Sequence, residues 1–423
     1  MTRHRLSSSL AVVLGGVLIA WFAHAGTLPA TQWTYEAGSP IYASPVVADF
    51  LPEHPGQEIL TVSSSKREVV CLGADGKSLW NYGGFTLRLT ATPTVAPLNA
   101  GGALGIFVAT RNDGVVCLNA KGELAWKQPV PEGIPWGNVT AGGPDPSSNP
   151  RLFWINLGGL VECHDVTGAK VWETQFKSRG PEGPLAVGDV DGDGQVEVLT
   201  GGGAALRCLD SAGHEKWRFD APSEFNNGPV LTDVLGNGRI QVLAASKDGV
   251  LYCLDGKTGK PIWNHRTFQC RIDSTVAVGD IDGDAKPEVV YGDGQGRLYC
   301  LNNLGEERWS FKAGDWIESA PVLGDVDGDA SIDVVFGSAD GNVYSLSAKG
   351  DLEWTFTAGK RVSASPTLCD CNGDGITDIL VPSHNGKLYN LTAGGRWDPN
   401  RILWPCRRYD LAQTAHVPKA ANP

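Results

Sequence analysis

The sequence predicts an all-β protein, an eight-bladed β-propeller of four-stranded antiparallel blades, on three observations. Tryptophans recur at Trp80, Trp126, Trp172, Trp217, Trp263, Trp309 and Trp354, in steps of 46, 46, 45, 46, 46 and 45 residues. Cysteines keep the same register at Cys71, Cys117, Cys163, Cys208, Cys253 and Cys300, and Ser345 and Asn390 continue the row. Between these markers lie short apolar runs broken by Gly, Asp and Asn, without the spacing of an amphipathic helix. A unit of roughly 40–50 residues built from strand and turn signals cannot bury its apolar face alone; stacking such units around a ring does it.

The chain opens MTRHRLSSSLAVVLGGVLIAWFAHAG: two arginines, an apolar run over 10–22, then Ala23-His24-Ala25. That is the layout of a secretory signal peptide, residues 1–25, cut after Ala25. The apolar run is shorter than the roughly 20 residues a bilayer crossing needs, so no membrane span is expected after cleavage. No cysteine follows the cut to carry a lipid, and the paired arginines of a twin-arginine signal are missing. The expected destination is the periplasm, the cell envelope or the exterior. Cleavage removes Arg3 and Arg5 and takes the formal charge from −12 to −14. So acidic a chain is not expected to bind nucleic acid, which requires Lys and Arg against phosphates. A monomer is expected.

The propeller is expected over 31–397, with 398–423 as a C-terminal extension. In the unit GDVDGDASIDVVFGSADGNVYSLSAKGDLEW, and just before it, strands are predicted at 320–323, 333–336, 342–346 and 353–357. An acidic turn joins the first two, and SADG makes the tight hairpin that Asp-Gly favours. In the eighth unit Trp397 comes two positions early, whereas TQWTYEAGSP around Trp33 resembles EWTFTAGKRV around Trp354 with no strands before it. The N-terminal segment is therefore expected to supply the fourth strand of the last blade.

Four units carry acidic or amide residues at positions 1, 3, 5 and 9 of the turn after the first strand. They are Asp189, Asp191, Asp193 and Glu197; Asp280, Asp282, Asp284 and Glu288; Asp325, Asp327, Asp329 and Asp333; and Asp370, Asn372, Asp374 and Asp378. Carboxylates so crowded repel one another unless a cation neutralises them, and Ca²⁺ takes about 6–8 oxygen ligands. Position 12, where a helix–loop–helix calcium hand needs glutamate, holds Thr200, Tyr291, Phe336 and Val381. The other reading is a solvated acidic turn, favoured by Ala285 and Ala330 where glycine would ease the bend. Structural Ca²⁺ is the expected cofactor, bound weakly, at roughly 10⁻⁴–10⁻³ M for extracellular loops. Blade 5 keeps Asp233 but has Leu235 and Asn237, and blade 2 reads PLNAGGALG.

Six of the ten cysteines repeat once per unit, too far apart for a disulfide's Cα span of roughly 4.4–6.8 Å, and are expected as small buried side chains beside the indoles. Cys270, Cys369, Cys371 and Cys406 fall off the register. Either Cys406 bridges to Cys369 or Cys371, or all four are unpaired. Asn138-Val-Thr and Asn390-Leu-Thr are glycosylation sequons, but Asn390 lies in the buried row.

The half-blade CLDGKTGKPIW (253–263) resembles the tryptophan-docking motif of PQQ-type propellers, and GDVDGDASIDVVFG (324–337) resembles the FG-GAP/VCBS calcium-loop repeat. The resemblance covers roughly 31–397 and speaks for fold, since function belongs to sites. It implies three classes of activity. One is an exported, non-catalytic binding or scaffold module, a class that includes a family of cofactor-free outer-membrane assembly propellers; these carry a lipid-anchor cysteine that this chain lacks. A second is a calcium-loaded polysaccharide lyase, which needs a base at the sugar. Histidines stand singly at His54, His164, His214, His265, His384 and His416. The third is a PQQ-dependent dehydrogenase, whose adjacent Cys-Cys pair is missing, so no PQQ is expected. The module reading is preferred, with a protein or glycan ligand and no enzymatic activity.

A candidate ligand ring sits nine residues before the acidic turns, at the entry to each first strand: Arg88, Glu224, Arg271, Trp316 and Arg361, with Tyr42, Asn226, Asp273 and Glu318 two residues further in. Apolar Ile41, Leu89, Phe225, Ile272, Ile317 and Val362 alternate with them, so the polar set should share one orientation. Trp316 would offer an apolar platform and the polar groups would fix orientation. The alternative is a solvated rim whose charges pair with one another.

Overall fold

The computed structural model describes residues 28–410 except 100–101, 135–137, 144–149, 178–182, 226 and 269. The expected signal peptide, Asn226 and His416 lie outside the described residues. Eight antiparallel sheets follow one another along the chain, each ordered from first strand to fourth. Blades 1 to 7 occupy 46–82, 94–128, 140–175, 186–220, 230–266, 277–312 and 322–357. Blade 8 takes three strands from 367–392 and its outer strand, Ala30–Glu36, from the N-terminal segment. Trp33 stands opposite Asn390, as Trp80 stands opposite Cys71 and Trp354 opposite Ser345. The ring closes with the strand expected to close it. No helix among the described residues is long and apolar enough to cross a membrane.

Burial explains the strand compositions. Inner strands are covered on both faces by neighbouring blades and, after the position-9 residue, read as small or apolar runs, as in the fully buried Glu197–Gly202. Outer strands face solvent on one side: in EKWRFD of blade 4, Trp217 and Phe219 are half-buried and the residues around them exposed. Seven indoles then tie each blade to the next. The Nε1 groups of Trp33, Trp80, Trp126, Trp172, Trp217, Trp263 and Trp309 donate to the carbonyls of Ala74, Ala120, Val166, Ser211, Gly256, Asn303 and Ala348, at 2.8–3.2 Å. The receiving turn needs glycine: Gly305 has φ +83°, and a Cβ there would fall 2.6 Å from the Trp263 ring. Trp354 is 2% exposed, yet its Nε1 has no partner. Blade 8 draws its outer strand from elsewhere, so the chain leaves the sheet after Thr392 without making the hairpin that receives the indole in other blades.

Around the channel, hydroxyls stitch the first strands together. Thr140 Oγ1 donates to Leu185 O at 3.1 Å, Thr367 Oγ1 to Pro45 O at 2.9 Å, and Ser44 Oγ accepts the Ser365 amide at 3.0 Å.

The C-terminal extension joins this architecture. Ile402–Trp404 pairs antiparallel with Val322–Gly324, the innermost strand of blade 7, and makes that sheet five-stranded. It runs from the acidic-turn face toward the opposite face. Pro405 O accepts the Leu368 amide at 2.8 Å. Fully buried Arg408 donates from Nη2 to Leu185 O at 2.5 Å, in a space that exists because Gly228 has no side chain. The tail thereby occupies the channel.

The thiols fall as expected in register and differently off it. All six register cysteines are buried and free, and burial pushes Cys117, Cys163 and Cys253 up to about 12. Neither alternative for the four off-register cysteines holds: Cys270 and Cys406 are free, whereas Cys369 and Cys371, two apart and 5.5 Å between Cα atoms, are bonded to each other. Alternate residues of an extended segment share a face, which brings the two sulfurs together. Both sequon asparagines are 2% exposed; Asn138 accepts the Thr92 amide and Asn390 donates to Asp378.

Candidate functional site

In all four acidic turns the position-9 carboxylate braces the turn by accepting the amide of position 2. Glu197 takes Val190, Glu288 takes Ile281, Asp333 takes Val326 and Asp378 takes Cys371, at 2.8–3.1 Å. The brace persists where the rest of the pattern is lost: Glu58 accepts the amides of Phe50 and Leu51, and Gln241 that of Leu235. Position 9 therefore has a backbone role independent of any cation.

Positions 1, 3 and 9 converge in three turns. Carboxylate oxygens of Asp189, Asp191 and Glu197 lie within 4.8 Å of one another, as do those of Asp280, Asp282 and Glu288, and those of Asp325, Asp327 and Asp333. Position 5 stands outside each group: Asp193, Asp284 and Asp329 cap the amides of Gln195, Lys286 and Ser331 instead. Asp370, Asn372, Asp374 and Asp378 form no such group. There Asn372 donates to Asp374 and Asn390 to Asp378, while Asp370 Oδ1 is buried without a hydrogen-bond partner.

Cationic side chains enter the same three turns. Lys216 Nζ is 2.6 Å from Asp191 and 2.9 Å from Glu197. Arg308 is 2.6 Å from Asp282 and 3.6 Å from Glu288. Arg401, from the tail, is 2.9 Å from Asp325. Burial pushes Glu288 up to about 7, with Asp282 and Asp284 adding to the rise and the Ile281 amide and Arg308 opposing it. In blade 7 Glu353 occupies the position of Lys216 and Arg308, just before the register tryptophan. Burial raises both Asp333 and Glu353; the facing Glu353 adds to the rise at Asp333, whereas at Glu353 Asp327 and Asp329 add to it and Asp333 opposes it. Asp333 Oδ1 is buried without a hydrogen-bond partner. Lys216, Arg308 and Glu353 were readable as charges one residue before a register tryptophan, where Leu79, Ala125, Val171 and Ile262 stand in other blades.

Six of the expected ring residues meet at the other end of the channel, without Glu224 and Trp316, which do not line the cavity there. Tyr42, Arg88, Arg271, Asp273, Glu318 and Arg361 line one cavity of about 620 Å³, joined by Lys247, His384 and the tail's Arg407. Their alternating neighbours Ile41, Leu89, Phe225, Ile272, Ile317 and Val362 are all 0–2% exposed. Backbone bonds such as Ile317 N to Asp293 O (3.1 Å) and Val362 N to Ser338 O (3.0 Å) fix each entry segment to the preceding blade. Several charges do pair: Arg271 with Asp273 at 2.5 Å, Arg361 with Glu318, and Lys247 with Glu224 at 2.7 Å. The Trp316 ring is engaged by guanidinium groups, Arg271 at 4.7 Å and Arg361 at 5.5 Å from its centroid.

A family profile described as outer membrane protein assembly factor BamB matches residues 157–281 and 247–395. The outer membrane protein assembly factor BamB of Burkholderia pseudomallei (strain K96243) is 24% identical over 222 residues, 51% of this chain and 54% of that protein, so the match spans about half of the relative's length. Two solved structures share the fold. BamB from Moraxella catarrhalis aligns with a TM-score of 0.60 at 17% identity, over 86% of this chain and 100% of that one. Quinohemoprotein alcohol dehydrogenase from Comamonas testosteroni aligns with a TM-score of 0.58 at 15% identity, over 88% and 77%. The two profile matches overlap and run without a break from blade 3 to blade 8, across more than half of the sequence: the chain belongs to the BamB-like, PQQ-type propeller-repeat family.

Proposed function

We propose that this protein is an exported, non-catalytic propeller acting as a binding or scaffold module of the cell envelope, with its ligand site at the channel mouth. The observation that carries the reading is the convergence of Tyr42, Arg88, Arg271, Asp273, Glu318 and Arg361 on one cavity, each beside a buried residue that anchors its backbone. A preorganised concave site with a few convergent polar groups is what recognition requires. A family named for an outer-membrane assembly factor supports a periplasmic or outer-membrane location and a protein or glycan partner. Fractionation of the producing cell, with a glycan and peptide screen on the mature chain, tests the proposal. Cytoplasmic retention would overturn it. A ligand whose binding survives Trp316→Ala with Arg271→Ala in a folded protein would move the site off this face.

Structural Ca²⁺ is part of the proposal, and blade 7 is its best place. Asp325, Asp327, Asp333 and Glu353 are all hard oxygen donors, and the unpartnered buried Oδ1 of Asp333 calls for a cation. The ion would supply positive charge where Asp333 and Glu353 face each other. In blades 4 and 6, Lys216 and Arg308 reach the position-9 glutamate itself, which weakens the case there, whereas in blade 7 the tail's Arg401 pairs with Asp325 and leaves Asp333 and Glu353 facing each other.

A further inference from the structure

We propose that the channel mouth is a site for a multiply charged oxyanion, a phosphate or polycarboxylate group, and that Arg407 of the C-terminal segment is one of its ligands. This rests on the channel mouth being the binding site of the module. Five cationic side chains, Arg88, Lys247, Arg271, Arg361 and Arg407, line the cavity against two carboxylates, Asp273 and Glu318. Glu224, which pairs with Lys247, stands beside them. The surplus of positive charge is local, since the chain as a whole carries −12. Such a concentration of one sign at a concave, partly desolvated place focuses the field on a ligand of the opposite sign.

The pairings sharpen the assignment. Arg271, Arg361 and Lys247 each have a carboxylate, whereas Arg88 and Arg407 make no ion pair among the described residues. Arg88 is exposed and lies 5.8 Å over the Tyr42 ring. Arg407 is delivered by a different route: the tail is pinned on either side of it, by Pro405 O to the Leu368 amide and by Arg408 to Leu185 O. A guanidinium carried to the mouth on an anchored segment, with Glu318 as the opposite charge acting on it, is available to a bidentate oxyanion. The face of Trp316 is engaged by Arg271 and Arg361 and that of Tyr42 by Arg88, so stacking a neutral sugar on either ring would displace a guanidinium. The site is equipped for charge rather than for a pyranose face.

The test uses calorimetric titration of the mature full-length chain with pyrophosphate and with citrate at low ionic strength. One-to-one binding of either supports the proposal, and the tighter of the two tells whether phosphate or carboxylate is the natural group. Arg88→Ala, on an exposed segment where folding is not at stake, should weaken binding roughly tenfold, the usual effect of losing a charge-assisted hydrogen bond. Arg407→Ala should do the same, Glu318→Gln should tighten binding, and Lys260→Ala, on a turn far from the mouth, should change nothing. Added salt should weaken it. Absence of binding by both anions, or binding that Arg88→Ala leaves intact, overturns the proposal. A neutral glycan or peptide that binds the mouth while both anions fail would overturn the anion class yet keep the module reading.

Discussion

His384 shows how the mouth shapes a single residue. Its ring meets Tyr42 edge-on at 4.5 Å and its Nε2 lies 2.7 Å from Ser363 Oγ. Burial, and then the Arg361 charge, push its pKa down to about 4. An unfolded histidine takes a proton near pH 6.5, so between about 6.5 and 4 the unfolded chain binds a proton that the folded one refuses. The stability this residue contributes is complete above about 6.5 and is lost as pH falls toward 4. Melting temperatures across that window should therefore fall less steeply in His384→Gln; an identical slope would assign the acid sensitivity elsewhere. Gly305→Ala should lower stability by about 1–3 kcal/mol, the range for left-handed strain, and disturb Trp263 fluorescence; wild-type stability would mean that the indole can shift. The cysteine row was legible because it shares the tryptophan period. The Cys369–Cys371 bond was not, because an i, i+2 pair carries no periodic signal.

At the scale of the acidic turn, neighbours decide which turns need a cation. Calcium should raise the melting temperature and EDTA lower it, with Asp327→Ala or Glu353→Gln removing a site from the calorimetric stoichiometry. If melting is indifferent to both and elemental analysis finds no metal, the turns are solvated reversals. Lys216→Met should leave Glu197 and Asp191 uncompensated, and calcium should then stabilise that variant more than the wild type. Positions 1, 3, 5 and 9 could be read from sequence as a ligand set. That position 9 braces the backbone and position 5 caps an amide could not, because both roles depend on which way a short side chain turns once the bend has formed.

The whole ring was legible, because seven tryptophans at one spacing leave little freedom in how the units stack, and Trp33 without a preceding unit pointed to the seam. The tail's course was not: Ile402-Leu403-Trp404 is a three-residue apolar run with no repeat to register it. Removing 30–36 should leave blade 8 with an uncovered strand, and aggregation is expected by light scattering because an exposed edge recruits other strands. A truncated chain that stays monomeric and equally stable would show another closure. Ending the chain after Trp397 should remove Trp404 and Arg408 from the channel and lower the melting temperature even if the ring survives.

Closure by the N-terminal strand also sets a timetable. A chain that is made from its N-terminus presents Ala30–Glu36 first, and the strand it pairs with, Lys387–Thr392, near the end. The contact of Ser44 with Ser365 spans 321 positions. Blades 1 to 7 can each form from local hairpins as they emerge, but the first segment has to wait as an unpaired edge for almost the full length of the protein. Contacts so distant in sequence are slow to form, and the waiting strand is the part most open to wrong partners. Folding of this protein is therefore a race between delivery of residues 367–410 and capture of the strand that was delivered first.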